Sequence, residues 1–320
     1  MTEEVVSNPQ KAVAASSDKW GKGLSPNQPT YEVAQSVLKT RLSTLWQWLP
    51  LAADKSDENV EYVHQLRIAT RRAAEALRVF SNLIPEKSYQ DMRIRLRKIR
   101  LAADEARDWD ILANLFLQGV ADLGGGTGMK ILEQIRVRRR GAQQPVAAVY
   151  QELQAEKFCE WIDKLLEGVG SQRHRKAKLK FKRQAQRYLK TVLKKFFKAA
   201  DADLSNDEAL HNLRIRTKKL RYTMEIVAIA FEPAFRERLY PRMSLLQDFM
   251  GVLNDHATTK ELFRDWASKS QDTEQRLFLE GFLFAETRAL QELRQTFLAM
   301  WMPKEVTRLR RQFRMFCGLP

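Results

Sequence analysis

The residues of this chain best suited to chemistry are two short sets of cations, each led by a histidine. His64, Arg67, Arg71, Arg72 and Arg78 lie in the segment HQLRIATRRAAEALR, and His211, Arg214, Lys218, Lys219, Arg221 and Tyr222 lie in HNLRIRTKKLRY. At 100° per residue, His64, Arg67, Arg71 and Arg78 share one sector of a helix, with Leu66, Ala73, Leu77, Phe80 and Ile84 opposite. In the second set His211, Arg214, Lys218, Arg221 and Tyr222 form the stripe, opposed by Leu213, Leu220, Met224 and Val227. Like charges so spaced repel by on the order of a few tenths of a kcal/mol per pair, an effect that Glu75 and Glu225 relieve only in part. An anionic partner removes the rest. Arginine offers phosphate a planar fork of donors and lysine a mobile point charge, so the mixture suits a flexible chain of phosphates better than one fixed group.

A single basic stripe most often does no more than solvate a helix face. Here the stripe occurs twice, at an offset of 147 residues. The blocks share His, Leu, Arg, Ile and Thr in place and keep cations at their last two positions, Arg71-Arg72 and Lys218-Lys219. The same shift pairs Arg95 with Arg242, Asp108 with Asp255 and Leu115-Phe116 with Leu262-Phe263. A repeat of that length indicates a duplicated unit.

Other chemistries fit less well. Neither His64 nor His211 has a second histidine or a cysteine at i+3 or i+4, so metal ligation is not expected. Asp108 and Asp255 follow Arg107 and Asn254 and are read as structural partners of arginine, while Asp110 has no counterpart in the second copy. GGGTGMK lacks the Gly-Lys-Ser/Thr ending of a phosphate-binding P-loop and is expected to be a loop. Cys159 and Cys317 are far apart and read as helix-packing thiols. No catalytic residue, metal or cofactor is assigned.

The elements that must position these residues are helices. Helix formers dominate, Gly and Pro are scarce, and Val/Ile/Thr-rich runs are missing, which predicts an all-α fold. Breaks are expected near Pro50 to Asp57, at Pro85, at Gly124 to Gly128, near Gly168 to Ser171, around Asp201 to Asn206, at Pro233 and at Pro303. Residues 1–30 are expected to be a flexible leader, 31–170 a first four-helix half, and 171–316 a second four-helix half plus a short C-terminal helix. Two four-helix bundles related by pseudo-twofold symmetry, with equivalent helices turned to a shared surface, are the expected architecture. The net charge of +16 calls for an acidic partner without choosing one. The basic run Arg173 to Lys198 is amphipathic and reads either as a membrane-surface helix or, as is commoner, as a bundle member. No secretory signal or uninterrupted apolar span is present, so a soluble, cytoplasmic protein is expected.

The blocks VHQLRIATRRAAEALRVF and LHNLRIRTKKLRYTMEIV, each followed by an aspartate dipeptide (Arg107-Asp108, Asn254-Asp255), resemble the conserved histidine α-helical domain family, CHAD, over roughly residues 31–316. The resemblance implies two helical bundles whose basic surfaces bind inorganic polyphosphate, and association with polyphosphate granules in some members. It places that role on His64, Arg67, Arg71, Arg72 and Arg78 in one half and on His211, Arg214, Lys218, Lys219, Arg221 and Tyr222 in the other. The halves differ: Ala74 stands opposite Arg221, and Glu225 opposite Arg78. No E-x-E-x-K strand of the triphosphatase domain often fused to such relatives is found, so a standalone module is expected. The alternatives are a nucleic-acid binder using the same cations and, with less support, an enzyme that processes polyphosphate or phosphate esters.

Overall fold

The structure, a computed structural model, describes residues 19–21, 23–120, 126–170 and 179–318. Its helices in chain order are α1 (Thr30–Asp54), α2 (Glu61–Val79), α3 (Glu86–Ala102), α4 (Asp104–Val120), α5 (Gly126–Ala155), α6 (Phe158–Gly168), α7 (Phe181–Ala200), α8 (Asp207–Val227), α9 (Tyr240–Lys269), α10 (Thr273–Met300) and α11 (Pro303–Cys317). The fold is all-α: among the described residues the one extended pairing is an isolated bridge from Pro29 to Lys180. None of these helices is long and apolar enough to cross a membrane. Local signals set the ends. The Asn206 carboxamide accepts from Glu208 N–H at 2.8 Å, the Asp272 carboxylate accepts from Gln275 N–H at 3.1 Å, Pro303 starts α11, and Gly318 ends it at φ +57°.

The chain forms two compact units that do not follow the sequence halves. The first draws on Met1–Ala103, Pro145–Thr191 and Tyr222–Phe235; the second on Asp104–Gln144, Val192–Arg221 and Arg236–Pro320. In the first, α1 packs on α2 and α6, and α3 on α2 and α6. Val33, Val37, Leu38, Leu42, Leu45 and Leu49 recur every three or four residues along α1 and are all buried. Gly170 closes this unit at φ +78°, where an added Cβ would come within 2.7 Å of the Tyr31 Cβ, so only glycine fits. In the second unit α9 packs on α10 and α4 around Phe116, Phe263 and Phe282, whose rings lie 4.5 to 5.9 Å apart.

Several expected boundaries shift. Helix α1 runs through Pro50 to Asp54. Among the described residues, 31–170 hold six α-helices, since Ala103 interrupts α3 and α4, and Lys157, at φ +54°, separates α5 from α6. The described part of 171–316 holds four α-helices and the short α11. Moved by the 147-residue offset, α2 lands on 208–226, against Asp207–Val227 for α8. Part of the expected leader is tied down: Arg41 donates to the Lys19 carbonyl at 2.9 Å, and the Pro26 and Gln28 carbonyls accept from Lys182 and Phe181. The leader's residues 1–18 and 22, Gly124 and Gly125 of the glycine cluster, and Arg173 to Lys178 of the basic run lie outside the described residues. Gly126 and Gly128, expected in a loop, belong to α5. Cys317 is buried, which pushes its thiol up to about 12, whereas Cys159 is exposed.

Truncating Phe116, which is 1% exposed amid three other phenylalanines, should leave a cavity that the helices cannot close. Phe116→Ala is expected to destabilise the protein by about 3–5 kcal/mol, read as a lower denaturant midpoint at unchanged m-value.

Candidate anion-binding site

In the first unit, α2 owes its orientation to a core face of Val63, Leu66, Ala69, Ala73, Ala76 and Leu77, every one buried. This leaves His64, Arg67, Arg71 and Arg72 half-buried and Arg78 exposed on the remaining sector, as the wheel predicts. Their surroundings divide them. Arg67 donates to the carbonyl of Ala103 at 3.1 Å, setting its positive charge against the C-terminal end of α3. Arg72 makes a two-pronged bond to the Glu225 carboxylate at 2.8 and 3.2 Å. Arg78 pairs with Glu75. Arg72 and Arg78 therefore neutralise buried carboxylates, which leaves His64, Arg67 and Arg71 as the half-buried remainder of the stripe.

The carboxylates they serve lie in the interior. Glu75 accepts from the Thr223 hydroxyl at 2.8 Å and the Tyr188 hydroxyl at 3.1 Å; Glu225 has Arg41 at 3.8 Å besides Arg72. Burial and the Glu75 charge push the Tyr188 hydroxyl well above its ordinary value, so it serves as a donor. Tyr222 is buried in this unit. From Leu220 to Val227 every residue of α8 is buried, so the helix has no solvent face there.

The second unit carries the first part of α8. His211 is exposed, and Arg214, Lys218 and Lys219 are half-buried. Arg221 is not part of the surface: it donates to the Gln247 side-chain oxygen at 2.6 Å and to the Tyr240 hydroxyl at 2.7 Å. The wheel put Arg221 and Tyr222 in the stripe because it assumes one buried face, an assumption that fails where α8 is surrounded. Arg214, Lys218 and, from α4, Arg107 act on Asp255 of α9, which stands 147 residues after Asp108. Burial raises the Asp255 carboxyl above its ordinary value, and the three cations oppose that rise. Three cations thus surround one carboxylate that burial discourages from ionising.

Beside this cluster lies a cavity of about 290 Å³ between α8, α9 and α10. Leu210, Met250, Leu253 and Leu290 supply its apolar lining, His211, Arg214, Lys260 and Arg294 its basic side chains, and Asp207, paired with Arg294, and Glu261 its carboxylates. Helical periodicity could not show it, since it depends on how three helices meet. Arg107 was legible as half of the dipeptide equivalent to Asn254-Asp255. His256 was not: its Nδ1 lies 2.7 Å from a Glu286 carboxylate oxygen on α10, a distant pairing without sequence signal. That hydrogen bond raises the imidazole above its ordinary 6.5, burial works against it, and Glu286 and Asp255 add to the rise. Asp110 is buried against Arg139 at 2.8 Å. Among the described residues no three His, Cys, Asp or Glu side chains are grouped so as to hold a metal ion.

A protein-family model described as CHAD domain matches residues 36–264. Among solved structures, the crystal structure of the CHAD domain from the plant Ricinus communis superposes with a TM-score of 0.68 at 20% identity, covering 87% of this chain and 94% of that one. The structure of PptA from Streptomyces chartreusis gives 0.57 at 17% identity, covering 84% and 99%. At these identities the likeness is one of fold. No curated protein matches the sequence.

Two outcomes follow from the buried charges. Glu225→Ala strands Arg72 and Arg41 and is expected to cost about 3–5 kcal/mol in denaturant unfolding. His256 holds its proton more tightly when folded, so its pair with Glu286 stabilises fully below about pH 6.5 and ceases to do so as pH rises through the higher folded value. Glu286→Gln should flatten that decline in a plot of melting temperature against pH.

Proposed function

This chain belongs to the CHAD domain family, and on that premise we propose that it binds inorganic polyphosphate without catalysing a reaction. The carrying observation is the grouping of Arg107, Arg214 and Lys218 about the half-buried carboxylate of Asp255. Such an excess of positive charge, partly withdrawn from water, favours an anion that brings several charges at once. Arg214 and Lys218 stand one turn apart on α8, about 6 Å along the axis, as do Arg67 and Arg71 on α2. A phosphate chain can follow cations at that spacing because it rotates freely at each bridging oxygen. The family resemblance supports inorganic polyphosphate as that chain, and association with polyphosphate granules, known for some members, as a setting for it.

A binding rather than catalytic role is supported by where the acids lie. Asp255 is set among cations, Asp110 against Arg139, Glu75 against Arg78 and Glu225 against Arg72 and Arg41. Carboxylates so engaged serve as counter-ions. Incubation with polyphosphate should therefore release no phosphate.

Arg71→Glu with Lys218→Glu is expected to weaken long-chain polyphosphate binding far more than Lys304→Glu with Arg308→Glu on exposed positions of α11, although the change of charge is the same. Each lost contact should also reduce the slope of log affinity against log salt by about one. Equal weakening by both pairs would show that net charge alone does the binding. Duplex DNA holding more tightly than polyphosphate at matched salt would favour the nucleic-acid reading.

A further inference from the structure

The cavity of the second unit is poorly matched to an inorganic ligand alone. Polyphosphate has no apolar surface to bury, yet the floor here is aliphatic: Met250 and Leu253 are almost fully buried, and Leu210 and Leu290 continue the lining. Water against such a floor gains little by staying, and an apolar group that displaces it is favoured in proportion to the area covered. Exposed His211 and half-buried Lys260 line the cavity as well, and Arg214 belongs both to its lining and to the cation cluster at Asp255. An apolar pocket of this size with a few convergent polar groups is the usual form of a small-molecule site.

We propose that the cavity between α8, α9 and α10 binds an organic phosphate ester, its compact apolar body on Met250, Leu253 and Leu290 and its phosphates on Arg214 and Lys260. The anionic half of this proposal rests on the phosphate-binding reading above, and the apolar half is independent of it. The lining has no Phe, Tyr or Trp, so the body is held mainly by contact and exclusion of water. Ala257, half-buried in the wall, has room before it that a larger side chain would fill.

The test compares esters with their inorganic counterparts on the full chain by calorimetry: ATP against triphosphate, and geranyl diphosphate against diphosphate. The inorganic ions carry at least as much charge, so tighter binding of the ester cannot be electrostatic. At least one ester is expected to bind tenfold or more tightly than its counterpart, and which one does so identifies the body. Ala257→Phe should abolish that margin while leaving affinity for the inorganic ions and long polyphosphate unchanged. Leu290→Trp serves the same purpose if Ala257→Phe lowers the melting temperature. No margin for either ester, or a margin that survives both substitutions, overturns the inference and leaves polyphosphate binding standing. A margin in a chain that ignores long polyphosphate supports the inference and sinks the earlier reading.

Discussion

Two buried carboxylates fix the geometry on which the first unit depends. Glu75 leaves α2 to accept from Thr223 on α8 and Tyr188 on α7, while Glu225 leaves α8 to accept from Arg72 on α2 and face Arg41 on α1. The exchange runs both ways between α2 and α8. Apolar packing alone permits a helix to rotate or slide by small amounts at little cost, but a desolvated carboxylate tolerates no loss of its partners. The rotation of α2 is thereby set, and with it the direction in which Arg67 and Arg71 point. Basic block and core are one construction here, since Arg72 belongs to the basic sequence block and to the interior pair.

Charge by itself would have overstated the site. Of the cations on α3, Arg95 is paired with Glu156 and rests on the Trp161 ring, and Lys98 is paired with Glu152. Arg310 is bound to Asp201, and Arg138 lies over the rings of Trp109 and Trp266. Such residues add to the formal +16 while their charge is answered locally. The cations around Asp255 differ in that Arg107, Arg214 and Lys218 all act on one carboxylate.

The apolar periodicity of α1, α2 and α9 was legible because each buries a stripe against neighbours, and the histidine and arginines of α2 fell where the wheel put them. Legibility ended where an element is surrounded. Leu220 to Val227 reads as amphipathic in sequence and is buried on every side, which moved Arg221 and Tyr222 from a supposed surface into the interior. Interruptions at Ala103 and Lys157 carried no glycine or proline to announce them. The fastening of residues 19–29 depends on donors further along the chain, Arg41, Phe181 and Lys182. Tertiary enclosure and partners distant in sequence lie outside any local window.

The division into compact units has a consequence for how the chain must assemble. Helices α5, α7 and α8 each begin in one unit and end in the other, and the first unit is completed only by Tyr222–Phe235. As the chain emerges from the ribosome, α1 to α3 wait exposed until more than a hundred further residues have been made. Folding is then governed by contacts distant in sequence, the kind that form slowly. The fragment 31–170, which looks self-contained on paper, lacks the strand of chain that supplies Glu225 and Thr223, and should emerge from synthesis as an aggregation-prone intermediate rather than a folded half.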